Sequence, residues 1–452
     1  MNESIELPVN REYDCDVLVV GAGVAGFTAA VCAARRGARV ILVDKNGCIG
    51  GSATTGLVGP FMSVMDPTGN FQVVKGFLDE FIQRMIEKNG AIHPLECRGG
   101  DSYSAYRTPG HIGVVPFNAE CFKFTAEEIC NESKVKILYH MLLVEVSVDD
   151  DKRITRAYFA TKNGIYSIAA KVFIDTTGDA DLSKLSGAKI LFGNEEGRTQ
   201  VSSLFFIVDN VDKTQLDAYM EKHPQSTDHK ARFFIDEIAK GRQDGTFPCG
   251  RHVFSAFQSP NGMWRINMTQ YDDQIDFNDP EQVTGAEIEC RTQIPKIISF
   301  LKTHVPGFSN IRLVHSSEML GVRESGRIEG EYYLTGEEVA QGTSFPDTIA
   351  IIGDSIDIHT NSKSIYVTSS LPAHIPYRSL LPKGIPNLIV AGRCLSADQI
   401  AHSAVRVMPP CFATGQAAGT AAAIAVASHT DLKKIDIPEL RKALSEDGAY
   451  LG

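Results

Sequence analysis

The chain has 452 residues with 44 basic and 55 acidic side chains, a formal net charge of −11. At about 150 residues per domain this length makes two to four domains, with ample chain for a large core and no need of a disulfide or metal staple. The acidic balance argues against a nucleic-acid binder, which carries a basic face, and 43% hydrophobic against 22% charged residues excludes disorder as the dominant state.

The 39 glycines fall in clusters without a collagen-like period, and clustered glycine marks backbone held close to something. The 10 cysteines include no Cys-x-x-Cys pair, so the usual zinc and thioredoxin-like signatures are missing and no metal is expected. Residues 1–16 are polar and carry no secretory apolar core. Scattered cysteines without such a leader make the cytoplasm the expected location.

The first element in chain order is a short apolar, β-branched run, Val17-Leu18-Val19-Val20, the pattern of a buried parallel strand. Gly21-Ala22-Gly23-Val24-Ala25-Gly26 follows, then an alanine-rich helix over 27–36, a stop at Gly37, a second apolar strand over 39–43 and Asp44 at its end. Gly21 allows the tight turn, Gly23 lets a pyrophosphate approach the backbone, and Gly26 lets the helix pack closely on the sheet. Val24 and Ala25 open the helix, whose free N–H groups and partial positive charge suit phosphate. Asp44 stands where a carboxylate accepts hydrogen bonds from a ribose diol, with Lys45 beside it. The same stretch, 17–34, carries no charge and is just long enough for a membrane span. Its three glycines and the Arg35-Arg36 pair after so short a helix speak for the dinucleotide turn instead.

Gly50-Gly51-Ser52 lies six residues past Asp44. An acid, a short spacer and a double glycine resemble the extended fingerprint of the glutathione-reductase-type FAD fold. Two further segments carry the resemblance. An apolar strand over 169–174 runs into Asp175-Thr176-Thr177-Gly178-Asp179, similar to the strand and glycine turn of FAD proteins. Hairpin strands over 135–148 and 154–160 precede it. In such folds the first of these passes the adenine, which implicates backbone near Leu143 and Val144. Near the far end, Leu388-Ile389-Val390-Ala391-Gly392-Arg393 reads as a buried strand, and a helix opens with Pro409-Pro410 and continues through Gly415-Gln416. In the FAD fold this helix aims its N-terminus at the flavin, where its dipole stabilises the reduced, anionic ring.

Taken together these segments resemble bacterial FAD-dependent oxidoreductases distantly akin to the fumarate reductase and succinate dehydrogenase flavoproteins. The similarity also runs through Gly321-Val322-Arg323-Glu324-Ser325-Gly326-Arg327 and through His402-Ser403-Ala404-Val405-Arg406-Val407-Met408-Pro409. It implies FAD as cofactor and an α/β architecture: a Rossmann-like FAD-binding domain of the glutathione-reductase type with an inserted α+β substrate domain. The chain departs from fumarate reductases at Arg393, where an acid often ends the cofactor strand, and in lacking their histidine-threonine substrate segment. Fumarate is therefore not the expected substrate.

The cofactor domain is expected to be discontinuous, over 1–60, 120–195 and 375–452, with a cap or lid over 61–119 and a substrate domain over 196–374. Strands are predicted over 201–211 and 263–269. Helices are predicted over 76–89, 216–223, 233–240 and 285–303. Trp264, the one tryptophan, is placed in the core.

Flavin chemistry needs the protein to hold a substrate carbon and to supply an acid, a base or a charge clamp. His402 and Arg406 lie between the last cofactor strand and its helix, and are the expected acid–base and carboxylate-clamp residues. Arg323 is a third candidate; with Arg327 it shares a helical face if that segment is a helix, and Glu324 and Glu329 stand close enough in sequence to neutralise both. His111 and His359 read as solvated loop histidines. Cys48 and Cys394 read as small packing residues.

The leading expectation is an oxidoreductase that moves a hydride between flavin N5 and a small organic substrate. Two others stand beside it. One is a flavoprotein subunit passing electrons to a partner protein, since the chain has no cluster motif of its own. The other is an RNA-modifying flavoprotein, which needs a basic docking surface that a net charge of −11 does not supply. No second G-x-G-x-x-G follows a strand, so no built-in NAD(P)H site is expected. Expected partners are a small-molecule substrate, no nucleic acid and no membrane span, with a homo-oligomer or an electron-transfer partner left open.

Overall fold

The computed structural model describes residues 6–107, 111–223, 233–353, 355–360, 364–367 and 371–452. The first five residues and three of the loop 97–113 thus lie outside the described residues.

The apolar run at 17–20 is the buried end of a longer strand, β1 (Val9–Val20), whose last six residues are all buried. Helix α1 (Val24–Arg35) follows, with Gly23 as its N-cap and ten consecutive buried residues from Val24 to Ala33. Its end is set at Arg36, whose N–H turns back to the Ala33 carbonyl, and Gly37 then reverses the chain at φ +91°. The strand β2 (Val40–Val43) is buried throughout. Helices α2 (Phe77–Glu87) and α3 (Ala119–Glu132) come next, then β3 (Lys136–Leu138), β4 (Leu142–Val148), β5 (Ile154–Thr161) and β6 (Gly164–Asp175).

These strands form one sheet in the order β3-β2-β1-β6-β5-β4. The pairs β3–β2, β2–β1 and β1–β6 are parallel, with Val20 opposite both Val43 and Asp175. The pairs β6–β5 and β5–β4 are antiparallel. On the side away from β1, β6 is long enough to serve two neighbours: its first half pairs with β5, and Phe173–Asp175 pair with the parallel strand Leu388–Val390. The predicted single strand over 135–148 is split, because His140 takes a left-handed backbone at φ +58°. The piece before it joins the parallel sheet and the piece after it joins the antiparallel ribbon.

The helix Met408–Ser428 lies along α1 at very close range. A Cβ on Gly415 would sit 2.4 Å from the Ala25 carbonyl oxygen, and one on Gly419 would sit 2.2 Å from that of Ala29. Small residues at this spacing let two helix backbones touch. Among the described residues this is the one helix long and apolar enough to cross a membrane, and 78% of its apolar window is buried inside the protein.

A second sheet has the order Arg312–Ser316, Phe206–Asp209, Trp264–Ile266, Ala256–Gln258, all antiparallel. It packs with the helix Pro280–His304 around a separate core holding Phe206, Phe254, Trp264 and Phe308. The lobe boundaries differ from the sequence expectation. The second core runs only from Leu204 to Leu320, joined by Tyr106. Residues 328–375 return to the first core through Ile328, Ile349, Ile352 and Ile358, and 61–119 contributes Phe61, Val64 and Phe81 to it. The segment expected to be a lid thus packs into the first core, where Phe61 and Phe81 meet Phe122 and Phe412 and Phe81 also meets Phe27 of α1. Arg265 ties the two lobes: it donates to the carbonyls of Val58 and Phe117, both at 2.9 Å, and lies over the Phe117 ring.

Candidate functional site

One cavity runs from the turn after β1, past the ends of β2 and β6, to the second sheet. At its first end Gly21 has φ +99°, and a Cβ there would meet the Thr176 carbonyl oxygen at 2.5 Å. On Gly26 a Cβ would lie 1.7 Å from the Gly21 carbonyl oxygen. These two glycines let α1 start tight against the sheet. Gly23 differs: nothing stands within 4 Å of its Cβ position, and Gly23, Val24 and Ala25 line the cavity. α1 has no side-chain cap, so its first N–H groups keep the positive potential that an anion would use.

Gly50 and Gly51 lie against this turn. Gly50 N–H donates to the Ala22 carbonyl at 2.8 Å, and a Cβ on Gly51, at φ +52°, would come within 3.2 Å of Gly23 Cα. Asp44 accepts from the Ala22 and Asn46 N–H groups at 2.6 and 2.7 Å, and burial pushes its carboxyl above the ordinary value. Lys45 and Ser52 also line the cavity. Further along come Thr177, Gly178, Asp179, Gly392 and Arg393, with Arg393 paired to Asp179 at 2.8 Å and donating to the Val322 carbonyl at 2.9 Å. The helix Met408–Ser428 brings its uncapped N-terminus, Val407 and Met408, to the same wall.

Five expected site residues fall outside the cavity wall, the first being Gly26, which faces the Gly21 carbonyl beneath the turn. Val144 is 39% exposed, and the wall at that end is made by Met141, Leu142 and Leu143. Gly415 faces α1, where its lack of a side chain is needed for helix packing. Gln416 accepts from Phe77 N–H at 3.1 Å and donates to the Asp447 carbonyl, so it fastens α2 to the C-terminal segment. His402 is the main correction. A short helix, Gln399–Val405, capped by Asp398, turns its ring wholly inward. Nε2 donates to the Arg393 carbonyl at 2.8 Å. Burial, followed by the charges of Arg327 and Arg406, holds it neutral. Its ring props the Arg393 backbone and stands behind the cavity wall.

The segment 323–327 is not helical, so Arg323 and Arg327 part ways. Arg327 is buried in a pair with Glu324 and donates to the Gly193 carbonyl at 2.7 Å. Arg323 lines the cavity, donating to the Val201 carbonyl at 2.6 Å. There it is joined by Arg406, as expected, and by Arg107 and Arg251, which sequence reasoning missed. No local motif announces either of the latter two. Among the described residues Asp357 is the one acidic group at this end. Burial opposes its ionisation, but His359, Arg406 and Arg107 overcome that and hold its carboxyl far below the usual range.

Two histidines complete this end. His359 shares a hydrogen bond of 2.9 Å between Nε2 and Asp357 Oδ2. Beside an ionised carboxylate the ring nitrogen is the donor. His111 is 1% exposed, and its Nδ1 lies 2.9 Å from the Ser104 carbonyl oxygen. A carbonyl only accepts, so Nδ1 carries the proton and Nε2 keeps a basic lone pair. Its ring stacks on Phe257. Burial, reinforced by Arg107, pushes His111 down to about 4, and burial likewise pushes His359 down to about 3.

These shifts make the fold sensitive to acid. Unfolded histidine binds a proton near pH 6.5, whereas the folded rings resist until about 4 and 3. The unfolded state therefore takes up more protons in that interval, and stability present above pH 6.5 is lost as the pH falls toward 4. The melting temperature is expected to drop between pH 7 and pH 5, and by less in His111→Gln. An equal drop in both proteins would remove His111 from this account.

Comparison with known proteins agrees with this geometry. Residues 16–444 match a family model described as FAD dependent oxidoreductase. A urocanate reductase of Eggerthella lenta is 40% identical over 82 residues, which are 18% of this chain and 13% of that protein. The alpha subunit of a sarcosine oxidase of Rhizobium meliloti is 60% identical over 38 residues, 8% of this chain and 4% of that one. The chain thus spans only a small part of these curated relatives. A geranylgeranyl bacteriochlorophyll reductase-like protein of Thermoplasma acidophilum has a similar fold, with TM-score 0.50, 14% identity, and coverage of 96% of this chain and 83% of that one.

Proposed function

Since this chain belongs to the FAD dependent oxidoreductase family, we propose that it moves a hydride between FAD and a small organic substrate held at the arginine- and histidine-lined end of the cavity. The observation that carries this reading is continuity: the dinucleotide turn and the buried polar end open into the same cavity. The residues fit FAD, because Gly23 leaves open the place a Cβ would fill beside the uncapped start of α1. When bound, FAD supplies two-electron chemistry at its N5.

The chain's own residues do the rest. The N-terminus of α1 and the double glycine hold a pyrophosphate, and Asp44 accepts from a ribose diol. The start of the helix Met408–Ser428 offers positive potential to a negatively charged ring edge. The second lobe covers the far end and excludes water through Phe205 and Phe257. His111 Nε2 would take a proton from the substrate in the oxidising direction and return it in the reducing direction, while bound FAD would accept or supply the hydride. Asp357 and His359 form a second, fixed pair on the same wall.

Anaerobic mixing of the FAD-loaded protein with hydroxy acids, amines, cyclitols and enoates tests the proposal. A donor is expected to bleach the flavin, and an acceptor to reoxidise the dithionite-reduced form. Protein that stays colourless with added FAD, or a flavin that no member of the panel oxidises or reduces, would overturn it.

A further inference from the structure

Other arginines drawn into the interior are anchored through their terminal nitrogens, although Nε of Arg265 and of Arg327 has no partner among the described residues. Arg265 donates to two carbonyls. Arg327 has Glu324 and a carbonyl. Arg393 has Asp179 and a carbonyl. Arg251 breaks the pattern. It is 2% exposed, lines the cavity, and its guanidinium makes no hydrogen bond or ion pair among the described residues. Arg107 lines the cavity in the same condition, its Nε buried without a partner.

The charge count sharpens this. Among the described residues Arg107, Arg251, Arg323 and Arg406 line the far end with one carboxylate, Asp357. The histidines there are neutral at pH 7, and Arg107, Arg251 and Arg323 set against Asp357 leave an excess of two positive charges among these residues. The groups also repel one another. Burial and then Arg107 push Arg251 down to about 10, and burial followed by Arg251 and Arg406 pushes Arg323 down to about 9. Buried charge without a counter-charge destabilises a fold. Arg265 offsets its burial by two carbonyl acceptors, whereas Arg107 and Arg251 have no side-chain acceptor among the described residues, so an entering anion would complete them.

We propose that this end of the cavity is a polyanion site, and that the substrate carries at least two carboxylate groups, one on the Arg107–Arg251 side and one on the Arg323–Arg406 side. Guanidinium suits this because its planar fork takes a carboxylate through two parallel hydrogen bonds. A monoanion leaves one of these positive charges unmatched, whereas a dianion meets the excess. The assignment deepens the proposed function and rests on the cavity being the site of the flavin reaction.

The test titrates FAD-loaded protein at fixed ionic strength with succinamide, butyrate, succinate and tricarballylate, and with inorganic phosphate as a separate anion. Binding is read by the flavin difference spectrum and by the shift in melting temperature. Succinate or tricarballylate is expected to bind at least tenfold more tightly than butyrate, with no binding by succinamide. Arg251→Leu is expected to weaken dicarboxylate binding at least tenfold while leaving the melting temperature of the anion-free protein equal or higher, since an uncompensated charge has been removed. Arg107→Gln provides the same loss from a separate chain segment should the Arg251 variant not fold.

Equal binding of butyrate and succinate, binding of phosphate with no carboxylate bound, or an unchanged succinate affinity in Arg251→Leu would overturn the polyanion site. In each of those cases a flavin that still binds and is reduced by dithionite leaves the oxidoreductase reading in place. A protein that takes up no FAD fails the parent reading instead.

Discussion

Gly26→Ala is expected to yield no folded protein, whereas Gly23→Ala, three residues earlier, is expected to fold and to bind FAD poorly. The two glycines belong to one motif and face different things. On Gly26 a Cβ falls 1.7 Å from the Gly21 carbonyl oxygen and 2.6 Å from Thr176 Oγ1. The first of these atoms is backbone, fixed by the Gly21 N–H bond to Val43 at 2.8 Å. Relief requires α1 to lift off the sheet. That would also part it from the helix Met408–Ser428, packed on its other side through Gly415 and Gly419. The cost exceeds about 5 kcal/mol, in the range that abolishes folding of ordinary domains.

On Gly23 the same methyl meets nothing within 4 Å. The ligand-free protein is expected to melt within a degree or two of wild type. FAD affinity is expected to fall about ten- to a hundredfold, the range for forcing one methyl into a filled contact. Circular dichroism melts and flavin fluorescence titration of the two variants check this together. A soluble, FAD-replete Gly26→Ala, or a Gly23→Ala with wild-type affinity, would contradict the assigned geometry of the turn.

That contrast also shows what kind of information the sequence carried. The turn, Asp44 and the double glycine are local. Each is set by a few neighbouring residues and a fixed backbone path, so their spacing is enough to find them. The segments 169–179 and 388–393 were legible for the same reason, as apolar strands ending in glycine. The far end of the cavity is different. Arg107 comes from a loop whose Tyr106 packs in the second core, Arg251 from the second lobe itself, and Asp357 and His359 from a strand that returns to the first core. Nothing near Arg251 in sequence distinguishes it from a surface arginine. Its meaning comes from burial and from missing partners, which are tertiary facts. His402 erred the other way. Its place in the chain borders the cofactor, but helical phase within Gln399–Val405 turns it into the core. A position near a site restricts where the backbone is, and leaves open which way a side chain points.

The second large effect concerns the proton. Replacing His111 by Gln is expected to lower kcat by about 10²–10⁴-fold, the contribution of a positioned general acid or base. Three features single this ring out. Its tautomer is set by the Ser104 carbonyl, 2.9 Å from Nδ1. It is neutral at pH 7, because burial and Arg107 push it down to about 4. Its Nε2 has no hydrogen-bond partner among the described residues, while the ring lines the cavity. His359 lacks this freedom, because its Nε2–H is committed to Asp357. Gln keeps a polar tip of similar reach but accepts no proton, so substrate affinity and FAD binding are expected to change little. The pH profile gives an independent readout. For the wild type in the oxidising direction, kcat/KM is expected to stay flat from pH 7.5 to below pH 6. The acid limb appears only as the pH approaches the depressed value of about 4, since that ratio reports the free enzyme. In His111→Gln that limb is expected to vanish along with the rate. If kcat survives in His111→Gln and collapses in His359→Gln, the proton belongs to the Asp357–His359 pair, and the acid limb then follows that pair.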